Sequence, residues 1–156
     1  MLKLDPGALA RLRRMDVHGP GEADFWRLAV SFGLPTTETG MRFVKILALL
    51  APKGEPSRRL PFHDRSRPLG EALCDAELSE ARLARFLALP TEKRGAALES
   101  LARLLSAKLD PGRGVNCMDI ARLLFSNNVQ HARQLAQTYY RRLDQHEAKS
   151  EKDSAA

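Results

Sequence analysis

"TEKRGAALESLARLLSAKL", residues 91–109, decides the fold class. Leu98, Leu101, Ala102, Leu105 and Leu109 recur at i, i+3, i+4, i+7 and i+11, which places them on one face of an α-helix. "DPGRG" (110–114) then stops the helix. The same period runs through nearly the whole chain, and no segment alternates as a strand would.

On the C-terminal side, Asn116 caps a helix carrying Ile120, Leu123 and Leu124, with Asp119 near its N-terminal dipole. "SNN" (126–128) breaks it. Val129, Ala132, Leu135, Ala136, Tyr139 and Leu143 form the stripe of a last helix. "EAKSEKDSAA" (147–156) reads as a polar, frayed tail.

On the N-terminal side, Leu83, Phe86 and Leu87 mark a helix over 79–89, closed by Pro90, and "LGEALC" (69–74) is a shorter one. "ETGMRFVKILALLA" (38–51) is a strongly apolar helix stopped by Pro52, and 23–32 carries Phe25, Leu28, Ala29 and Phe32 on one face. The first helix runs over Pro6–Met15, with Asp5 as N-cap and Pro6 at the first helical position. The reading is all-α: about eight helices in a two-part bundle, with a long basic loop near 52–68. A basic N-terminal part (1–75) precedes a C-terminal bundle (76–147) and a flexible tail (148–156). Low aromatic content, 6% against 44% hydrophobic residues, fits a core of Leu and Ala in helices.

The net charge is +6. Residues 1–70 hold 12 Lys and Arg against 7 Asp and Glu, whereas 71–114 hold 7 of each. This basic half suggests a polyanionic partner, because Arg keeps its charge and bonds phosphate bidentately. The loop "PKGEPSRRLPFHDRSRPLG" (52–70) has four prolines and no helical period. Such a loop, with Arg58, Arg59, Arg65 and Arg67 against Asp64, is not expected in the core.

Other chemistries find little purchase. His18, His63, His131 and His146 form no metal-binding spacing, so no metal or other cofactor is expected, and His63 reads as a solvated loop histidine. Nothing suggests a nucleophile or a phosphate-cradling glycine loop, so the chain is not expected to be an enzyme. Cys74 and Cys117 read as buried, reduced thiols. No leader or membrane-spanning stretch is visible, which points to a cytoplasmic protein.

Arg11, Arg13 and Arg14 crowd the first helix with no acid in the same turn. They are either a solvated face or a cradle for phosphates. Arg82 and Arg85 form an i, i+3 pair, while Arg103 has Glu99 at i−4 as a possible partner. Arg141 and Arg142 read as cations at a helix C-terminus, and Tyr139–Tyr140 as core plus rim.

"PGALARLRRM", "SFGLP", "PLGEAL", "SEARLARFLAL", "LESLARLLSAKL", "GVNCMDIARLL" and "HARQLAQTYY" follow one another in an order that resembles the CasB-type small subunit of the type I-E CRISPR surveillance complex, Cascade. The resemblance spans about residues 6–143. Phe125 and "LAQTYY" stand where that family usually carries tryptophans.

The resemblance implies an all-α, non-catalytic subunit in antiviral defence. Such a subunit is paired with a second copy of itself and touches the backbone and large subunits. Its basic faces run beside crRNA and target DNA, binding their backbones without sequence specificity and stabilising the R-loop. On it, Arg11, Arg13 and Arg14 have phosphates as counterions. Arg14 matches the second arginine of the opening pair, and Arg82 and Arg103 match arginines of the fifth and sixth helices. Arg58, Arg59, Arg65 and Arg67 match the basic loop as a region. The alternatives are a helix-turn-helix DNA-binding regulator built on 114–143 and a helical adaptor whose basic loop binds an acidic protein.

Overall fold

Local caps set most of the helix starts. Asp5 accepts a hydrogen bond from the Ala8 N–H (2.8 Å) and opens α1, Pro6–Arg14. Thr37 does the same for α3, Glu38–Leu50, and Ser79 for α5, Glu80–Leu87. Asn116 caps α7, Cys117–Phe125. Between these lie α2, Ala23–Phe32, ended by Gly33 in the left-handed region (φ 63°), and α4, Leu69–Asp75. A 3-10 turn at Thr91–Lys93 leads into α6, Arg94–Lys108, and the last helix, α8, is Val129–Ala155. The computed structural model describes residues 4–54, 61–110 and 112–155. Among them the fold is all-α, with eight α-helices, no strand, and one isolated parallel bridge between His63 and Val115. None of these helices is long and apolar enough to cross a membrane.

Two apolar clusters make up the core, and α3 is the wall between them. Val44 and Ala48 face α1 and α2, joining Leu9, Leu12, Met15, Phe25 and Ala29. Ile46, on the opposite face, joins a larger cluster built from α4 to α8 that includes Leu73, Leu83, Leu105, Leu123 and Tyr139. Leu98, Leu101, Ala102 and Leu105 of the opening stripe are all buried there, and Leu109 packs against it. Within this cluster α4 lies along α8, where Gly70 lets the two backbones close up. A Cβ on Gly70 would stand 2.3 Å from the Leu135 carbonyl oxygen.

Two expectations need correction. The polar tail does not fray from residue 148: α8 continues to Ala155 as exposed helix. No Gly or Pro occurs from residue 115 onward, and the tail is rich in Ala, Glu and Lys, so nothing local stops the helix. The basic loop is also not wholly outside the core. Phe62 packs against both clusters, and Arg67 is 4% exposed. Backbone bonds tie this stretch to the segment before α7: Val115 N–H donates to Phe62 (2.9 Å), Asp64 N–H to Val115 (3.0 Å), and Asn116 N–H to Arg67 (2.8 Å).

Candidate nucleic-acid interface

The nine arginines singled out in the sequence do not form one group. Arg11 has an acid partner: its Nε donates to Asp24 Oδ2 at 2.7 Å and an Nη to Oδ1 at 3.4 Å. The hydrogen bond from Arg11 holds the Asp24 carboxyl below the usual carboxylate range. Arg13 is half-buried and caps a helix. Its Nε donates to the Ala48 carbonyl (2.7 Å) and an Nη to that of Ala51 (2.8 Å), satisfying the end of α3. The missing local acids of α1 therefore have an intramolecular explanation for two of its three arginines.

Only Arg14 projects from α1 exposed, with no hydrogen bond or ion pair to any described residue. The contrast gives a stability prediction. Arg13→Ala is expected to destabilise by about 2 kcal/mol through its two charge-assisted bonds. Arg14→Ala should stay within about 0.5 kcal/mol of the parent. Chemical denaturation of both variants checks the pair, and equal losses would contradict the assignment.

In the loop, Arg58 and Arg59 lie outside the described residues. Arg65 is exposed and unpartnered among the described residues. Its neighbour Asp64 is turned to Ser66 instead, accepting from the Ser66 N–H (2.9 Å) and hydroxyl (2.6 Å). Arg67 is a structural residue. One Nη donates to Asp75 Oδ2 (2.6 Å), the other to the Gly114 carbonyl (3.4 Å), and its buried Nε has no partner among the described residues. His63 is also engaged: its Nδ1 accepts from the Cys117 N–H at 3.1 Å.

Arg82 and Arg85 both project into solvent from α5 without a side-chain partner. Arg103 takes the local alternative and meets Glu99 at 3.2 Å, four residues earlier. Glu99 is shared, however. Arg42 (3.1 Å) and Lys45 (3.6 Å) reach it from α3, so one carboxylate faces three cations. Arg42 has a second acid in Glu38 (3.1 Å), which leaves this corner net positive.

Asp75 is the other hub. It receives Arg67, Arg142 Nε (2.8 Å) and His146 Nε2 (2.9 Å), with Arg113 at 3.7 Å. Burial raises its carboxyl, but bonds from Arg142 and Arg67 outweigh this and hold it below the usual range. Arg142 is thus a core-side ion-pair partner within α8 and not a C-terminal cation.

Cys74, His146 and Asp75 fall in the order of a nucleophile, a base and an orienting acid, with Sγ 3.8 Å from His146 Nδ1. Burial, helped by Asp75, pushes the thiol pKa up, and the carboxylate already holds two guanidinium groups. The arrangement keeps the thiol neutral, the opposite of activation. Cys117 is likewise buried and free, its thiol pushed up to about 12. The described residues contain no cluster of three or more His, Cys, Asp or Glu that could hold a metal ion.

Among the described residues, the exposed, unpartnered guanidinium groups from the sequence reading are therefore Arg14, Arg65 and Arg82, with Arg103 on a shared carboxylate. The sequence reading paired Arg85 with Arg82 without assigning it a phosphate, read Arg141 as a helix C-terminal cation although α8 runs on to Ala155, and did not name Arg133. Arg133 and Arg141 are exposed on α8 without partners among the described residues. Their signal was available: no Asp or Glu occurs between residues 121 and 143. No family model matches this chain, nor does any curated protein or solved structure.

Proposed function

We propose that this chain is a non-catalytic small subunit of a type I-E CRISPR surveillance complex. In this role it binds nucleic-acid backbone without sequence specificity and stabilises crRNA-guided binding of target DNA and the R-loop. The observation that carries the nucleic-acid part is the set Arg14, Arg65, Arg82 and Arg85, exposed and without carboxylate partners among the described residues. Asp64, next to Arg65 in the chain, is engaged by Ser66. Unpaired guanidinium groups on a protein of net charge +6 suit a polyanion whose phosphates supply the missing counterions. The Cascade assignment rests on the order of the sequence motifs. It carries with it the backbone and large subunits and a second copy as partners, crRNA and target DNA as ligands, and a cytoplasmic setting.

The test replaces Arg14, Arg65, Arg82 and Arg85 together with Ala in the full chain. DNA affinity should fall similarly for all sequences. The slope of log K against log[salt] should flatten by about 0.7–0.9 for each phosphate contact removed. In a complex reconstituted with the backbone and large subunits, R-loop lifetime should drop while crRNA loading holds. An unchanged salt slope on DNA removes the nucleic-acid reading and favours the helical adaptor. A preference for one palindromic site favours the helix-turn-helix regulator. Failure to join the reconstituted complex removes the Cascade assignment.

A further inference from the structure

Three arginines are buried among the described residues, and two of them have carboxylates. Arg42 bonds Glu38 and Glu99, each at 3.1 Å, and Arg67 bonds Asp75 at 2.6 Å. Arg94 is 9% exposed, and its side chain has neither a hydrogen bond nor an ion pair to any described residue. Of its guanidinium nitrogens only Nε is fully enclosed as well as unpartnered, so the two Nη groups form the edge that meets solvent. A guanidinium withdrawn from water without a counterion is costly to a fold.

The position of Arg94 adds to that cost. It is the first residue of α6 and stands four residues before Leu98, so it extends the buried stripe of that helix to its N-terminal end. A helix N-terminus is the positive end of the macrodipole, where acids stabilise and cations do not. α2, α3, α5 and α7 each place an acid in their first turn. α6 has none there and no side-chain cap, and the residue before it is the exposed Lys93. Glu92, in the preceding 3-10 turn, is exposed and pairs with neither cation. Glu99, further along α6, is already shared by Arg42, Lys45 and Arg103. A side chain at the start of a helix leans back toward the N-terminus, so the Arg94 guanidinium and the positive end of the dipole lie at the same end of α6. An anion held there meets both.

Burial narrows the kind of anion. The outer edge of a guanidinium, with two N–H donors side by side, takes two oxygens of one group. A phosphodiester carries sugars on both sides and needs a surface open along the strand. A terminal group on a single stem needs only the edge.

We infer that Arg94, at the N-terminus of α6, is a binding site for a terminal oxyanion, a carboxylate or a phosphate monoester. The site is separate from the exposed arginines and does not depend on the nucleic-acid reading.

The experiment titrates the full chain with acetate and with inorganic phosphate, each exchanged for chloride at constant ionic strength, and follows backbone amide resonances by NMR. Saturable shifts centred on residues 91–97 are expected in the parent and should vanish in Arg94→Met, which keeps the length of the stem and removes the charge. In chloride, Arg94→Met should melt above the parent by roughly 2–4 °C, because a buried unpaired charge has gone. The parent should close that gap as acetate or phosphate replaces chloride, since only the parent binds. A response to acetate alone identifies a carboxylate site, and one to phosphate alone a phosphate monoester site. If Arg94→Met melts below the parent in chloride, the arginine is a structural element and the inference is overturned. A parent chain with no saturable shift overturns it without any variant. Shifts of the same amides by oligo(dT) as large as those by phosphate overturn the choice of a terminal group.

Discussion

Gly70→Ala is expected to destabilise the protein by about 3 kcal/mol, the upper end of what overpacking costs in a core. The added Cβ would lie 2.2 Å from Thr138 Oγ1, 2.3 Å from the Leu135 carbonyl oxygen and 2.7 Å from the Tyr139 nitrogen. Two of those atoms belong to the backbone of α8 and cannot rotate away. The helices must move apart, loosening Leu69, Leu73, Leu135 and Tyr139, all of them buried. Alanine's better helix propensity returns at most about 1 kcal/mol. In a chain of this size the melting temperature should fall by roughly 6–12 °C. A melting temperature within a degree of the parent would mean that α4 and α8 do not approach so closely.

Asp75→Asn is expected to cost about 3 kcal/mol near neutral pH, the low end for removing one partner of a buried ion pair. Arg67 is the reason: its side chain is 5% exposed and has no other carboxylate among the described residues. Arg142 and His146 are more open to water and add less. The sign of the pH dependence follows from the lowered carboxyl. The Asp75 contribution is complete above its unfolded value of about 3.9 and is lost as pH falls through the lower folded one. The stability gap between parent and Asp75→Asn should therefore be full at neutral pH and shrink as pH drops below about 4. Urea unfolding at neutral and acidic pH measures it. A gap that grows on acidification would mean that the carboxylate is not the ionised partner of Arg67.

The sequence by itself determined the fold class and most helix starts, because both are local quantities. The stripe from Leu98 to Leu105 is buried as its period requires, and Asp5 and Asn116 cap α1 and α7 from within four residues. The far end of α8 was legible too, but in the absence of Gly and Pro after Gly114 and not in any positive signal. The identity of the free arginines was not legible. Arg11 and Arg14 are three residues apart on one helix, and Arg65 and Arg67 two apart in one loop, yet in each pair one is engaged and the other is open. Period tells which side of a helix a residue occupies, not what the fold brings against that side. The groups that settle the question lie beyond the reach of local periodicity: Asp24 for Arg11, the Ala48 and Ala51 carbonyls for Arg13, and Asp75 for both Arg67 and Arg142. Charge acts through space, and only the packing of α1 on α2 and α3 and of α4 on α8 decided which of these guanidinium groups kept a counterion and which were left facing solvent.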